Sequence, residues 1–119
     1  MPQHEKINYV EFPSQDLPAT KDFFHRAFGW VFVDYGPEYA SFSNEGLDGG
    51  FFKSEVVART DRGSSLIVLY SDDLEGTLEK VQQAGGRIIK PIFLFPGGRR
   101  FHFMEPGGNE LAVWGVDES

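Results

Sequence analysis

The chain contains an internal repeat, and this repeat limits the folds open to it. Asp16-Leu17 returns as Asp73-Leu74, an offset of 73 − 16 = 57 residues. Six residues recur at that offset: Ser14 as Ser71, Asp16 as Asp73, Leu17 as Leu74, Thr20 as Thr77, Ala27 as Ala84 and Gly29 as Gly86. The period is longer than the roughly 20–50 residues of a solenoid repeat. The repeat therefore indicates a half-domain that was duplicated and fused.

The length of 119 residues predicts one domain, 1–119, with a first module at about 1–57 and a second at about 64–119. The chain has no cysteine, which excludes disulfides and thiolate metal ligands.

Its start is polar, and no apolar run reaches the roughly 20 residues of a membrane helix. We therefore expect a cytoplasmic protein without membrane contacts. The net charge of −7 argues against a nucleic-acid partner.

The first copy is predicted to start with a strand over Ile7–Phe12 that ends at Pro13, because proline cannot donate to a strand ladder. Asp16 is expected to cap a helix and Gly29 to stop it. Further strands are predicted at Trp30–Tyr35, Tyr39–Ser43 and Gly50–Lys53.

A polar segment, 54–64, separates the two copies. The second copy is predicted to have a strand over Ser65–Tyr70, a helix capped by Asp73, and strands at Arg87–Phe95, Arg99–Met104 and Glu110–Val116. The glycine pairs at 49–50, 85–86, 97–98 and 107–108 are interpreted as turn elements. The predicted order is therefore β-α-β-β-β, twice.

Three motifs resemble those of a known family: Tyr9-Val10-Glu11-Phe12-Pro13, Phe23-Phe24 with Phe28-Gly29-Trp30, and Glu105-Pro106-Gly107-Gly108-Asn109-Glu110-Leu111. With the repeat, they resemble the vicinal oxygen chelate superfamily, which includes glyoxalase I, extradiol dioxygenases and bleomycin-resistance proteins. The resemblance implies an α+β fold of two β-α-β-β-β modules, whose mixed sheet is cupped around a small-molecule site with the helices outside.

The resemblance also implies where a metal would bind. Its ligand positions fall on Tyr9, Leu66 and Ala112, and the fourth falls on Phe52 or Ser54. Leucine and alanine have no lone pair, and a neutral phenol is a poor ligand. We therefore expect no metal site and no cofactor.

Three histidines remain as possible ligands. His4 and His25 are expected to be solvated, and His102 is either a hydrogen-bonded sheet residue or a pocket residue.

Alternation along the strands predicts which side chains face the cup. Tyr9 and Glu11 should face it, as should Leu66 and Val68 in the second copy. In the last strand, Glu110, Ala112 and Trp114 should face it. Glu11 is interpreted as an ion-pair partner of Arg99 or Arg100, although a carboxylate in an apolar cup could also act as a general base. Glu110, beside a turn, is expected to be a charge at the rim.

Three functions are compatible with these patterns. The first is a metal-free module that binds an apolar or aromatic small molecule between Tyr9, Glu11, Phe52, Leu66, His102 and Trp114. The second is a glyoxalase-like lyase or isomerase, or a dioxygenase-type enzyme, with displaced metal ligands or with Glu11 as acid–base catalyst. The third is a dimer whose cup is filled by side chains. A homodimer is expected in any case, because exposed sheet edges are usually covered and two-fold symmetry is the commonest solution.

Overall fold

Each copy of the repeat folds as one strand, one helix and three further strands in the computed structural model, which describes residues 2–117. The first module comprises β1 (Tyr9–Ser14), α1 (Leu17–Phe28), β2 (Phe32–Asp34), β3 (Tyr39–Glu45) and β4 (Leu47–Lys53). The second comprises β5 (Ile67–Tyr70), α2 (Leu74–Gln83), β6 (Arg87–Phe95), β7 (Gly98–Met104) and β8 (Glu110–Gly115).

Each module forms its own four-stranded sheet. The strand orders are β1-β4-β3-β2 and β5-β8-β7-β6. In each sheet the first strand pairs in parallel with the last, and the remaining pairs are antiparallel. The two sheets therefore share one mixed topology, which confirms the predicted α+β fold and fits an internal duplication.

The repeated residues make the same hydrogen bonds in both modules. Asp16 and Asp73 each cap a helix by accepting from the backbone N–H three residues later, both at 3.1 Å. The flanking hydroxyls are also paired, Ser14 with Thr20 at 2.7 Å and Ser71 with Thr77 at 2.6 Å. The identities that reveal the repeat therefore specify one local structure, formed twice.

The prediction that Pro13 ends the first strand is wrong, because β1 continues to Ser14. Pro13 lies on the outer strand of its sheet, and its carbonyl accepts a hydrogen bond from Asn109 in the second module. The nitrogen of a strand residue points to the same side as its carbonyl. The missing N–H of Pro13 therefore faces away from β4 and costs no ladder bond.

One phenylalanine-rich core joins the modules. Phe24 of α1 stacks on Trp30 with ring centroids 4.6 Å apart and packs on Phe51 of its own sheet at 5.3 Å. Phe23, from the same helix, packs on Phe103 of the second sheet at 5.6 Å. Since α1 contacts both sheets, the halves bury a single core rather than two.

A buried carboxylate lies at the joint between the modules. Glu105 is fully buried and accepts from the Thr20 hydroxyl at 2.8 Å, the Gly107 N–H at 2.5 Å and the Asn109 side-chain amide at 2.7 Å. Burial raises the pKa of this carboxyl, while the three hydrogen bonds act in the opposite direction. Glu105 thus joins a residue of α1 to the turn before β8.

Asn109 completes this joint. Its amide nitrogen also donates to the Pro13 carbonyl at 2.6 Å, and its amide oxygen accepts from the Ala58 N–H at 3.0 Å. One buried side chain therefore links β1, the segment between the modules and the β7–β8 turn.

Neither helix in the described residues is long and apolar enough to cross a membrane.

We expect Asn109→Ala to lower the free energy of unfolding by about 2–5 kcal/mol, because it leaves the Ala58 N–H and part of the Glu105 carboxylate buried without partners. Urea denaturation measures this loss. Gln82→Ala, an exposed change on α2, is the control and should have little effect. A loss below about 1 kcal/mol for Asn109→Ala would mean that the joint is not held by this side chain.

Candidate functional site

Each sheet has one face against the helices and one turned away from them, which we call its open face. Val10 and Phe12 pack in the core, as Ile67 and Leu69 do in the second module. The residues between them, such as Glu11 and Val68, therefore lie on the open faces. The predicted alternation of the two strands is observed.

On the open face of the first sheet, three side chains form a hydrogen-bonded chain. The Tyr39 hydroxyl donates to the Glu11 carboxylate at 2.8 Å and lies 2.5 Å from the Tyr9 hydroxyl. Because Tyr39 has one proton and gives it to Glu11, Tyr9 is the donor in the second bond. The carboxylate thus orients two phenols in sequence.

Gly50 makes room for this chain. It lies inside β4, opposite Glu11, and a Cβ at this position would collide with the Tyr39 hydroxyl. The prediction that glycines 49–50 form a turn is therefore wrong. Both are strand residues, and Gly50 allows another side chain to approach the backbone closely.

The environment of Tyr39 keeps it protonated. Burial and the hydrogen bonds with Tyr9 and Glu11 raise its pKa far above the usual 10.0. Tyr39 therefore acts as a neutral donor.

The ion pair predicted for Glu11 is not what the structure shows. Glu11 is exposed and accepts from Tyr39. Arg99 instead binds Glu75, with N–O distances of 2.6 and 3.2 Å, and the guanidinium of Arg100 lies over the rings of Phe93 and Phe95. Neither arginine faces Glu11 because β7 belongs to the other sheet.

The open face of the second sheet carries a buried His–Glu pair. His102 Nδ1 lies 2.7 Å from Glu110, whose other oxygen accepts from the N–H and the hydroxyl of Thr60, both at 2.8 Å. Glu110 is 5 % exposed, so the expectation of a rim charge is wrong. The segment between the modules covers it.

Opposing effects set the pKa of Glu110. Burial alone would raise it, but the hydrogen bonds from His102 and Thr60 outweigh burial and hold the pKa below its ordinary 4.5. His102 is thus a hydrogen-bonded sheet residue, although its buried Nε2 has no partner among the described residues.

An aromatic cleft of about 260 Å³ opens beside this pair. It is lined by Val68, Phe95, Gly97, Arg100 and Trp114. The rings of Phe95 and Trp114 are 6.3 Å apart, close to perpendicular.

The model of the Glyoxalase/Bleomycin resistance protein/Dioxygenase superfamily matches residues 6–113. The chain belongs to this superfamily. The assignment confirms the resemblance to vicinal oxygen chelate proteins.

Two Streptomyces proteins match the chain at 28% and 27% identity. The anthracycline biosynthesis protein DnrV of Streptomyces peucetius is 28% identical over 124 residues, with 89% of this chain but 45% of that protein covered. The chain therefore spans less than half the length of this curated relative. The anthracycline biosynthesis protein DauV of Streptomyces sp. (strain C5) is 27% identical, with the same coverage of 89% of this chain and 45% of that protein.

Solved structures share the fold. A glyoxalase-related enzyme from Fulvimarina pelagi superposes with a TM-score of 0.77 at 23% identity, covering 93% of this chain and 88% of that one. The antibiotic binding protein TnmS3 from Streptomyces sp. CB03234 superposes with a TM-score of 0.68 at 19% identity, covering 98% and 100%.

Strand register locates the fourth metal-ligand position that the superfamily implies. Val68 follows Glu11 by the repeat offset of 57 and pairs with Ala112, whereas Glu11 pairs with Gly50. The equivalent of Ala112 in the first module is therefore Gly50, and neither Phe52 nor Ser54.

The residues at the four positions do not fit a metal. Gly50, Leu66 and Ala112 offer no side-chain donor, and the Tyr9 phenol is engaged with Tyr39. Among residues 2–117, no group of three or more histidine, aspartate or glutamate side chains is arranged to hold an ion. His4 and His25 are exposed, as predicted.

A second cavity, of about 430 Å³, is bordered by residues of both modules. It is lined by Val10, Phe12, Trp30, Phe42, the 45–47 turn and residues 67–70.

The structure only partly brings the predicted site residues together. Tyr9 and Glu11 meet through Tyr39, and Trp114 lines the cleft, whereas His102 is buried beside Glu110. Phe52 and Leu66 are half-buried outside the residues lining the cleft. The sequence analysis did not place Tyr39 beside Glu11, nor Phe95 and Arg100 in the cleft. The one signal for the close approach of Tyr39 was Gly50, a glycine within a strand.

We expect Tyr39→Phe and the parent to show the same number of ionised tyrosines up to about pH 11. The raised pKa of Tyr39 keeps its hydroxyl protonated in this range, so its removal changes nothing in the titration. Absorbance at 295 nm measures the number of ionised rings. With 4 tyrosines in the chain, an amplitude lower by a quarter in the variant would contradict the assignment.

We expect Glu110→Gln to cost about 1.5–3 kcal/mol at neutral pH and less at pH 3. Because the folded-state pKa of Glu110 is depressed, its contribution is present above the ordinary 4.5 and lost as the pH falls through the folded value. Urea denaturation at both pH values measures the difference from the parent. Glu79→Gln, exposed on α2, is the matched control. An equal deficit at both pH values would count against the charge-assisted pair.

Proposed function

We propose that this chain binds a planar aromatic small molecule in the cleft beside Trp114 and that binding needs no metal. The observation that carries the proposal is the cleft itself, an apolar and aromatic concavity of about 260 Å³ on the open face of the second sheet. Its volume is slightly below the roughly 300–1,000 Å³ of sites for drug-sized ligands, so a ligand of a few fused rings would be partly enclosed.

The arrangement of rings supports an aromatic ligand. Tyr70 flanks Trp114 on one side at 5.0 Å, and Phe95 flanks it on the other at 6.3 Å. These contacts hold the indole in place, so little side-chain conformational entropy of Trp114 is lost when a ligand binds. Aromatic pairs contribute about 0.5–1.5 kcal/mol beyond the burial of area.

The relatives support the same class of ligand. One is described as an antibiotic binding protein and another as an anthracycline biosynthesis protein. Independence from metal is supported by Gly50, Leu66 and Ala112, which offer no donors at the superfamily's ligand positions.

The remaining predicted contacts stay predictions. Tyr9, Glu11, Phe52 and Leu66 lie outside the lining of the cleft, and His102 is buried beside Glu110. A homodimer also stays a prediction, and it would cover exposed apolar residues such as Leu94.

A second candidate function is acid–base catalysis at Glu11. The hydrogen-bonded chain from Tyr9 through Tyr39 to Glu11 favours it, because such a chain could relay a proton to an exposed carboxylate. Mass spectrometry of a bound compound after prolonged incubation separates the two functions. A compound recovered unchanged supports binding alone, and conversion that is abolished by Glu11→Gln supports catalysis.

We expect the chain to bind anthraquinone-2-carboxylate or anthraquinone-2-carboxamide with a dissociation constant that EDTA does not change. Isothermal titration calorimetry measures the affinity. Trp114→Leu should weaken binding by at least about tenfold, since stacking of one ring system contributes about 1.4 kcal/mol.

Two controls make this result specific. Val33→Ala alters an exposed apolar residue of β2, away from the cleft, and should bind like the parent. In a Trp30→Phe background, Trp114 is the only remaining tryptophan of the 2 in the chain, and its fluorescence should be quenched by the ligand. If neither anthraquinone-2-carboxylate nor anthraquinone-2-carboxamide binds, the proposed function is refuted.

A further inference from the structure

We infer that Arg100 selects ligands that carry a negative charge, so the aromatic molecule bound in the cleft is an anion such as a carboxylate or a phenolate. This inference rests on the proposed function and adds the charge of the ligand to it. Arg100 lines the cleft together with Trp114, and the two residues are register partners on β7 and β8. A ligand stacked on the indole would therefore lie next to the guanidinium.

The guanidinium of Arg100 is held in place by aromatic rings. It lies 5.4 Å from the ring centre of Phe93 and 5.3 Å from that of Phe95. Such contacts use the face of the guanidinium and leave its N–H edges available. The edges present donors in a planar fork that matches the two oxygens of a carboxylate.

The neighbouring Arg99 differs from Arg100 in having a charged partner. Arg99 makes two hydrogen bonds to the carboxylate of Glu75. Arg100 makes no ion pair among the described residues. An anionic ligand in the cleft would supply the carboxylate that Arg100 lacks.

The overall charge makes this contrast informative. The chain has 18 acidic residues against 11 lysines and arginines, so carboxylates that could pair with a cation are abundant. The open face of the second sheet nevertheless places aromatic rings, rather than a carboxylate, against Arg100. In an apolar cleft the interaction of this cation with an anionic ligand is also screened less than at an open surface.

The test compares two ligands of nearly the same shape. Anthraquinone-2-carboxylate is anionic at pH 7, and anthraquinone-2-carboxamide is neutral. We expect the parent protein to bind the carboxylate about 10–100-fold more tightly in calorimetry at low salt. Arg100→Gln should remove this preference, so that the variant binds the two ligands with similar affinity. Arg100→Lys should keep part of it, because lysine retains the charge but not the fork.

Arg99→Gln is the matched control, since it neutralises the adjacent arginine, which is paired with Glu75. It should leave the preference intact. Circular dichroism and thermal melting of each variant confirm folding, and Arg100→Lys still tests the proposal if Arg100→Gln fails to fold.

The outcomes separate the two proposals. Equal affinity of the parent for both ligands overturns the selection of anions and leaves the proposed function standing. Loss of the preference in Arg99→Gln, or its full retention in Arg100→Gln, overturns the role of Arg100. Failure of both ligands to bind refutes the proposed function and the inference together.

Discussion

The architecture depends on a carboxyl group buried where the two modules meet. Glu105 reaches no solvent, and its oxygens accept from Thr20, Gly107 and Asn109. A buried carboxylate is tolerated only when such donors surround it, so the donors must be held in place by the rest of the fold. Thr20 comes from one module, and the other two come from the turn of the second. The joint therefore forms only when both modules are folded and correctly docked.

This requirement explains why the open faces are free to differ. Core packing and the joint fix the positions of the strands, so residues on the open faces can differ between the modules without moving the strands. On the first sheet the backbone at Gly50 admits the Tyr39 ring, which occupies the space of the side chain missing there. On the second sheet aromatic rings surround Arg100. Of the positions at which the resemblance implies metal ligands, Tyr9 is hydrogen-bonded to Tyr39, and Gly50, Leu66 and Ala112 have no side-chain donor atom.

The fold was largely predictable because its signals are local. The caps at Asp16 and Asp73 depend on residues three apart, and strand alternation depends on residues two apart, so both can be read without knowing the tertiary structure. Errors arose where distant segments decide. Pro13 stays in β1 because its neighbour across the joint is Asn109.

The candidate site was less predictable for the same reason. Glu110 looked like a surface charge because the sequence does not show that Thr60 folds over it. Tyr39 was missed because its place over Gly50 follows only from the register of β3 on β4. Trp114 was predicted correctly to lie on the open face, since alternation within one strand was enough. The contacts with a ligand remain predictions.

The fastened joint has a consequence for how such a chain can diversify. If two identical single modules assembled around a two-fold axis, each substitution would appear twice, and a residue useful on one side would be imposed on the other. Fusing the copies into one chain removes that coupling. Glu105 can hold the joint from the second module alone, and an arginine can line a cleft on one sheet only. Duplication supplies the scaffold, and covalent linkage allows its halves to acquire separate tasks.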